Sequence, residues 1–220
     1  MDVLGLIPAR GGSKGIPRKN LITVGGKPLL AWTVAAARQS ETVTRTVVST
    51  EDEKVGAVAR ELGAIVLARP RELAEDETPM QAVVEHALGE LGRPDVLVLL
   101  QPTSPLRRAE HVDEAVALLR ETGADCVVSV VEVPHRYGPE SLMALDGGRL
   151  VALGGSASRR QDKRRMLARN GPAVLALRGE RLGGDLYAGD CRPYLMRPED
   201  SIDVDEPFDL ELAEFLLARR

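Results

Sequence analysis

The chain has 220 residues, of which 44% are apolar and only 3% aromatic, enough for one large domain with an aliphatic core. A net charge of −4 gives no general attraction to nucleic acid or an anionic membrane, and scarce aromatic residues argue against binding single strands by base stacking. The isolated Cys126 and Cys191 exclude a disulfide framework and a zinc site. Without a signal-peptide pattern or a run of roughly 20 apolar residues, we expect a cytoplasmic protein that binds neither nucleic acid nor membrane.

Apolar runs alternate with helical patterns through the first part of the chain. Strands are predicted over Val3–Ile7, Arg45–Ser49, Ala64–Leu67, Asp95–Leu100 and Ala124–Val131, and helices over Leu29–Arg38, Glu53–Leu62, Met80–Leu91 and Glu110–Glu121. This alternation is typical of βαβ units, with a mainly parallel sheet and helices on both faces. Ligands bind at the carboxyl ends of the strands in such sheets, so we expect the site in the loops that follow strands.

The alternation is lost between residues 132 and 171. A segment over Leu142–Leu153, divided by Asp-Gly-Gly, indicates a hairpin. We interpret residues 132–171 as an arm of a single domain that spans residues 1–220. Regular structure is predicted again as strands over Ala173–Leu177 and Pro193–Arg197 and a last helix over Asp209–Leu217.

The first predicted strand leads into a glycine-rich basic loop, A-R-G-G-S-K-G-I-P-R-K-N at 9–20. The glycines allow the backbone to approach a ligand closely. The cations and Ser13 beside them suit a polyphosphate. The spacing is not that of a P-loop, and no G-x-G-x-x-G fingerprint is present. The alternative interpretation is a solvated basic turn.

Two more loops follow predicted strands. The sequence S-T-E-D at 49–52 is either part of a site or an ordinary helix N-cap with acidic residues in the first turn. In Q-P-T-S-P-L-R at 101–107, two prolines rigidify the loop and Gln101 offers an amide. This favours recognition of a base or sugar edge over a polar turn that caps the next helix.

The segment S-I-D-V-D at 201–205 places two carboxylates, Asp203 and Asp205, two residues apart. In an extended segment both face the same side, and such a pair can hold Mg²⁺ when phosphates complete its shell. A nucleoside triphosphate usually brings Mg²⁺ to its site. The alternative is a solvated acidic turn. The basic run at 159–165 is either a surface strip or a recognition element for an anion.

The longest motifs are I-P-A-R-G-G-S-K-G-I-P-R-K-N at 7–20, S-T-E-D at 49–52, L-L-Q-P-T-S-P-L-R at 99–107, R-Q at 160–161, N-G at 170–171 and S-I-D-V-D at 201–205. In order and spacing they resemble the acylneuraminate cytidylyltransferase family, the CMP-sialic acid synthetases. The resemblance implies a nucleotide-diphospho-sugar transferase fold, a Rossmann-like three-layer α/β sandwich with a mixed, mainly parallel sheet. It also implies an extended arm that joins a homodimer.

The resemblance implies the reaction of CTP with a nonulosonic sugar acid to give a CMP-sugar and pyrophosphate, with Mg²⁺ as cofactor. The implied nucleotide-binding residues are Ala9, Arg10, Gly11, Ser13, Lys14, Asn20, Arg69 and Gln101. The implied acceptor-binding residues are Gln101, Arg160, Gln161 and Asn170, with Arg160 reaching into the other subunit's site. The implied metal ligands are Asp203 and Asp205, and the implied catalytic residues are Arg10, Lys14, Gln101 and Asp203.

The acceptor half departs from the family pattern. Ala168 stands where the family has an arginine, Val174 where it has an aromatic residue, and Lys163-Arg164 where it has leucine-proline. The nucleotide is therefore better indicated than the acceptor. One alternative is a cytidylyltransferase for another anionic acceptor, such as a 3-deoxy-manno-octulosonate-like acid. The other is a non-catalytic nucleotide-binding homologue.

Overall fold

The computed structural model describes residues 1–139, 141–154 and 165–220. The strands in this part of the chain are β1 (Val3–Pro8), β2 (Thr23–Val24), β3 (Lys27–Pro28), β4 (Arg45–Thr50), β5 (Ile65–Ala68), β6 (Val96–Leu99), β7 (Cys126–Glu132), β8 (Met143–Asp146), β9 (Arg149–Ala152), β10 (Leu167–Arg169), β11 (Leu175–Arg178) and β12 (Cys191–Leu195). The α-helices are α1 (Leu29–Gln39), α2 (Glu53–Glu61), α3 (Met80–Leu91), α4 (Ala109–Thr122) and α5 (Pro207–Leu217). None of these helices is both long and apolar enough to cross a membrane.

The main sheet has the strand order β5-β4-β1-β6-β11-β7-β12, and β10 pairs with β7 on the same edge as β11, beyond the end of β11. β12 lies parallel to the first part of β7, and β10 lies antiparallel to its end. β11 is antiparallel to both of its neighbours, whereas β1 is parallel to β4 and β6. The predicted mixed, mainly parallel sheet is therefore confirmed.

Both faces of this sheet are buried. Along β1, Val3 and Ile7 join an apolar cluster with α1, α2 and α4. Leu4 and Leu6 join a second cluster with α3 on the opposite face. Alternate side chains of a strand point to opposite faces, which is why the central strands have continuous apolar sequences. Helices on both faces were predicted and are confirmed.

The S-T-E-D segment at 49–52 is both a helix N-cap and a contact of the basic loop. Asp52 caps α2, because its carboxylate accepts hydrogen bonds from the backbone N–H groups of Lys54 and Val55. Gly63, with φ of 79°, follows α2 and turns the chain toward β5. Glu51 takes no part in the cap and contacts the basic loop instead. The segment therefore caps α2 through Asp52 and holds the basic loop through Glu51.

The predicted hairpin is confirmed as β8 and β9, which form a separate two-stranded sheet. Its apolar side chains face solvent, with Leu145 76% exposed and Leu150 66% exposed. Not all of residues 132–171 lie outside the main sheet, however, because β10 pairs with the end of β7. β10 has only three residues, Leu-Ala-Arg, which are too few to give a strand signal of their own.

Candidate active site

A cavity of about 200 Å³ opens where β1 and β6 end. This is the carboxyl edge of the parallel strands, where α/β sheets bind their ligands. The predicted nucleotide-binding residues that line it are Arg10, Ser13, Asn20, Arg69 and Gln101. Lys19, Met80 and Thr103 line it too. The structure thus brings together loops that follow three different strands.

Hydrogen bonds to neighbouring segments hold the basic loop. The backbone N–H of Ala9 donates to the Ser49 carbonyl oxygen at 2.9 Å, which continues the pairing of β1 with β4. The side-chain amide of Asn20, itself buried, donates to the Arg10 carbonyl oxygen at 2.8 Å. The two ends of the loop are therefore tied together, and the cations between them are presented from a fixed backbone.

Glu51 joins the basic loop to Arg69. Its Oε1 accepts the Gly11 backbone N–H at 2.7 Å, and its Oε2 lies 3.1 Å from Nη2 of Arg69. The Arg69 side chain is only 3% exposed, and its Nε has no hydrogen-bond partner in the described residues. Sequence reasoning missed Glu51, because an acid beside a helix N-terminus is more simply interpreted as part of a cap.

The two cations expected to hold phosphates share one carboxylate, Asp76. Arg10 Nη1 lies 2.6 Å from its Oδ1, and Lys14 Nζ lies 3.0 Å from its Oδ2. Hydrogen bonds from Lys14 and Arg10 lower the pKa of Asp76 below its ordinary value. A second cavity of about 430 Å³, lined by these cations and residues 74–76, adjoins the first. Sequence reasoning missed Asp76 as well.

Asp203 and Asp205 lie beside the same cavity in different surroundings. Asp203 is partly buried, its Oδ1 has no hydrogen-bond partner among the described residues, and burial raises its pKa although a hydrogen bond with Thr103 opposes this. Asp205 is exposed, and its Oδ1 lies 2.7 Å from Nζ of Lys19. Lys19 also donates to the Val204 carbonyl oxygen at 2.9 Å. Lys19 thereby connects the basic loop to the carboxylate segment.

These residues fit a magnesium ion. The unpartnered buried oxygen of Asp203 is a group that a cation would stabilise. No cluster of three or more His, Cys, Asp or Glu side chains placed to hold a metal occurs in the described part of the chain. The two carboxylates would therefore need ligand oxygens to complete a shell, as the sequence analysis expected.

A hydrogen bond to its carbonyl oxygen fixes the backbone of Gln101. Its carbonyl oxygen accepts a hydrogen bond at 3.0 Å from Nη1 of Arg107, which also donates to the Ala173 carbonyl oxygen at 2.9 Å. Arg107 is buried, and burial lowers its pKa to about 9. The Gln101 side-chain amide makes no hydrogen bond within the described residues. The rigid loop therefore leaves this amide for a ligand.

Asn170 is buried and its amide is fully engaged within the protein. Its Oδ1 accepts from Ser129 Oγ at 2.6 Å, and its Nδ2 donates to Ser201 Oγ at 2.9 Å and to Met196 Sδ at 3.3 Å. This geometry favours a role in positioning the segment that leads to Asp203. Direct contact of Asn170 with a sugar stays a prediction. The other two residues expected to bind the acceptor, Arg160 and Gln161, lie outside the described residues.

Arg169 does not replace the arginine that the family pattern has at the position of Ala168. On β10, Ala168 lies opposite Val131 and Arg169 opposite Val130, so their side chains point to opposite faces of the sheet. The Arg169 guanidinium lies over the Tyr187 ring, 4.3 Å from its centroid. A cation–π contact holds it there, so Arg169 does not supply a charge on the Ala168 face of β10.

Comparison with known proteins agrees with the motifs. Residues 4–143 match the family model described as Cytidylyltransferase. The chain is 34% identical to the CMP-N,N'-diacetyllegionaminic acid synthase of Legionella pneumophila, over 99% of this chain and 97% of that protein. It is also 34% identical to N-acylneuraminate cytidylyltransferases of Escherichia coli, over 96% of this chain and 51% of that protein, and of Danio rerio, over 95% and 49%. The chain spans about half the length of these two relatives.

A solved structure shares the fold. The structure of CMP:2-keto-3-deoxy-manno-octonic acid synthetase complexed with CTP superposes with a TM-score of 0.76, covering 100% of this chain and 99% of that one at 18% identity. The likeness concerns the fold alone. It confirms the expected nucleotide-sugar transferase fold and leaves the arm's part in a dimer as a prediction.

Proposed function

The chain belongs to the cytidylyltransferase family, and on this basis we propose that it transfers the cytidylyl group of CTP to a nonulosonic, sialic-acid-like sugar acid and releases pyrophosphate. One observation carries the proposal. The basic loop and the carboxylate segment, which lie far apart in the sequence, meet beside the cavity, because Lys19 of the cavity wall contacts both Val204 and Asp205. Such a meeting of cations and metal-binding carboxylates suits a triphosphate and its metal.

The residues divide the work of holding CTP. Arg10 and Lys14 bind the triphosphate with charge-assisted hydrogen bonds, and the Ser13 hydroxyl contributes a neutral donor. The N–H groups of Ala9 and Gly11 are bonded within the protein, so these two residues contribute close approach of the backbone to the ligand. Arg69 approaches the nucleoside, a role supported by its position on the cavity wall and its unpartnered Nε. Asn20 keeps the loop closed through its bond to the Arg10 carbonyl oxygen.

Transfer requires in-line attack of the sugar's anomeric hydroxyl oxygen on the α-phosphorus. The new O–P bond forms as the bond to pyrophosphate breaks and the hydroxyl proton passes to water, so no covalent enzyme intermediate is needed. Catalysis then consists of positioning and charge neutralisation. Arg10 and Lys14 stabilise charge on the leaving pyrophosphate, and Gln101 orients the acceptor beside the nucleotide. Asp203 and Asp205 would hold Mg²⁺, which when bound offsets phosphate charge.

The acceptor belongs to the class that the relatives' names describe, an N-acylneuraminate or a diacetyllegionaminate. Gln101, Arg160, Gln161 and Asn170 are the proposed contacts. An acceptor that relies on less cationic recognition than usual suits the chain, because neither Ala168 nor Arg169 supplies a charge on that face of β10. A 3-deoxy-manno-octulosonate-like acid is the second candidate acceptor, since the fold is shared with a synthetase of that type.

The test measures pyrophosphate release from CTP with a panel of nonulosonic and 3-deoxy sugar acids, for the native protein, Lys14→Met and Lys54→Met. We expect Lys14→Met to lose about 100-fold in kcat/KM, as does loss of one preorganised charge-stabilising group. Lys54 is an exposed lysine of α2 and serves as the matched control. CTP binding by calorimetry without release on any acceptor would instead indicate a non-catalytic homologue.

We propose a homodimer joined by the arm. The support is the exposed apolar surface of the β8–β9 hairpin, including Leu145 and Leu150, since apolar patches of this kind mark association surfaces. Sedimentation velocity should give a dimer for the native chain and a monomer for Leu145→Glu combined with Leu150→Glu. A native monomer would refute the proposal. The cytoplasmic location stays a prediction.

A further inference from the structure

Asp76 bridges the two cations of the basic loop in a symmetrical way. One carboxylate oxygen lies 2.6 Å from Arg10 Nη1 and the other lies 3.0 Å from Lys14 Nζ. Arg10 Nη1 also approaches the Ala74 carbonyl oxygen at 3.4 Å. A carboxylate that spans an arginine and a lysine presents two anionic oxygens, much as the edge of a phosphate group does.

The segment that carries Asp76 belongs to the same cavities. It runs from Arg69 to Met80, and both of these residues line the cavity at the ends of β1 and β6. Glu75 and Asp76 line the adjoining cavity together with Arg10 and Lys14. Three consecutive acids, Glu75 to Glu77, thus lie beside the loop that the proposed function assigns to the triphosphate.

The ion pairs of Asp76 with Arg10 and Lys14 are exposed enough for a ligand to replace the carboxylate. The Asp76 side chain is 35% exposed, Arg10 33% and Lys14 72%. Exposed pairs of this kind are held weakly, because water competes for both charged groups. They are strong enough to keep both cations in place, and weak enough for a multiply charged phosphate chain to displace the carboxylate.

We propose that Asp76 is a resident counter-anion that occupies the place of the β- and γ-phosphates in the empty site, leaves when CTP binds and returns when pyrophosphate departs. Asp76 is then a positioning residue that acts through Arg10 and Lys14. It weakens the binding of every ligand that carries phosphates at these two cations, pyrophosphate included, and leaves CMP unaffected. The consequence is fast product release at the expense of tighter CTP binding. This inference rests on the proposed function.

The test compares Asp76→Asn with Glu77→Gln, which removes the same charge from the same segment but has no ion pair to the basic loop in the described structure. Calorimetry gives Kd values for inorganic tripolyphosphate, pyrophosphate, CTP and CMP. For Asp76→Asn we expect the Kd to fall about 2- to 30-fold for the first three ligands and to stay unchanged for CMP, the range given by two exposed ion pairs. Pyrophosphate should also inhibit turnover more strongly.

A purely structural role would give the opposite sign, with weaker binding of all four ligands. The idea is overturned if Asp76→Asn binds tripolyphosphate no tighter than Glu77→Gln does, or if tripolyphosphate fails to bind either variant. Thermal denaturation shows that each variant folds, and Asp76→Ser replaces Asp76→Asn if the latter does not. If native protein neither binds nor consumes CTP, the proposed function fails, while the tripolyphosphate comparison still decides the role of Asp76.

Discussion

Replacing Glu51 with glutamine should destabilise the protein, although it changes only one charge. The carboxylate accepts the Gly11 N–H at 2.7 Å and lies 3.1 Å from Arg69 Nη2. Glutamine can still accept from Gly11, but its NH₂ group would then face the guanidinium. Arg69 is 3% exposed and would become a buried cation without an anion. Removing one partner of a buried pair costs about 3–5 kcal/mol, and we expect the lower end because Glu51 keeps 15% exposure.

The experiment is a double-mutant cycle with Glu51→Gln, Arg69→Met and both together, using urea denaturation followed by circular dichroism. The double variant should be more stable than Glu51→Gln alone, since it no longer buries an unpaired cation. We expect a coupling energy of about 2 kcal/mol, well above the roughly 0.5 kcal/mol within which independent sites add. Additive single changes would refute the argument that the pair joins the basic loop to Arg69.

Two other substitutions test the packing of the site and the support of α4. Gly15→Ala should raise the KM for CTP severalfold, because its Cβ would overlap the carbonyl oxygen of Asp205. Gly89→Ala on α3, with nothing within 4 Å of its Cβ, should leave KM unchanged, and equal KM values for the two variants would contradict this. Asp113→Asn should cost about 1–3 kcal/mol of unfolding free energy, because the carboxylate accepts hydrogen bonds from two hydroxyls and two N–H groups of the loop after α1. Burial alone would raise the pKa of Asp113, but these hydrogen bonds lower it below its ordinary value of 3.8. The difference in Tm between native and variant protein should therefore be constant above about pH 5. It should vanish as the pH falls through the lowered pKa. A difference that grows in acid would show that the hydrogen bonds do not favour the ionised form.

The sheet could be predicted because its strands are buried on both faces. Val96–Leu99 has an unbroken apolar sequence for that reason, and the chain cannot place such a run anywhere else. β10 could not be predicted, because it has three residues and exposed side chains. Its pairing with β7 arises from the return of the arm to the edge of β7 that β11 occupies farther along. That is a long-range choice with no local signal.

The candidate site, like the sheet, could be predicted from the sequence only in part. Glycines and cations fall together in one segment, 9–20, so the sequence alone indicated a phosphate-binding loop. The acids that complete its charge balance could not be assigned, since Glu51 and Asp76 reach it from distant loops. A sequence shows that an acid is present but not which N–H or cation it faces. The engagement of Asn170 by Ser129 and Ser201 was hidden for the same reason.

The contact between Lys19 and Val204 spans 185 residues, and this separation bears on how the protein folds. The last strand of the main sheet ends at Leu195, before the carboxylate segment. Closing a loop of this length costs conformational entropy that only the finished sheet can offset. During synthesis the basic loop is therefore made long before the carboxylate segment that it contacts. A nascent chain with its sheet already assembled would still lack the contacts of Lys19 with Val204 and Asp205 until that segment emerged.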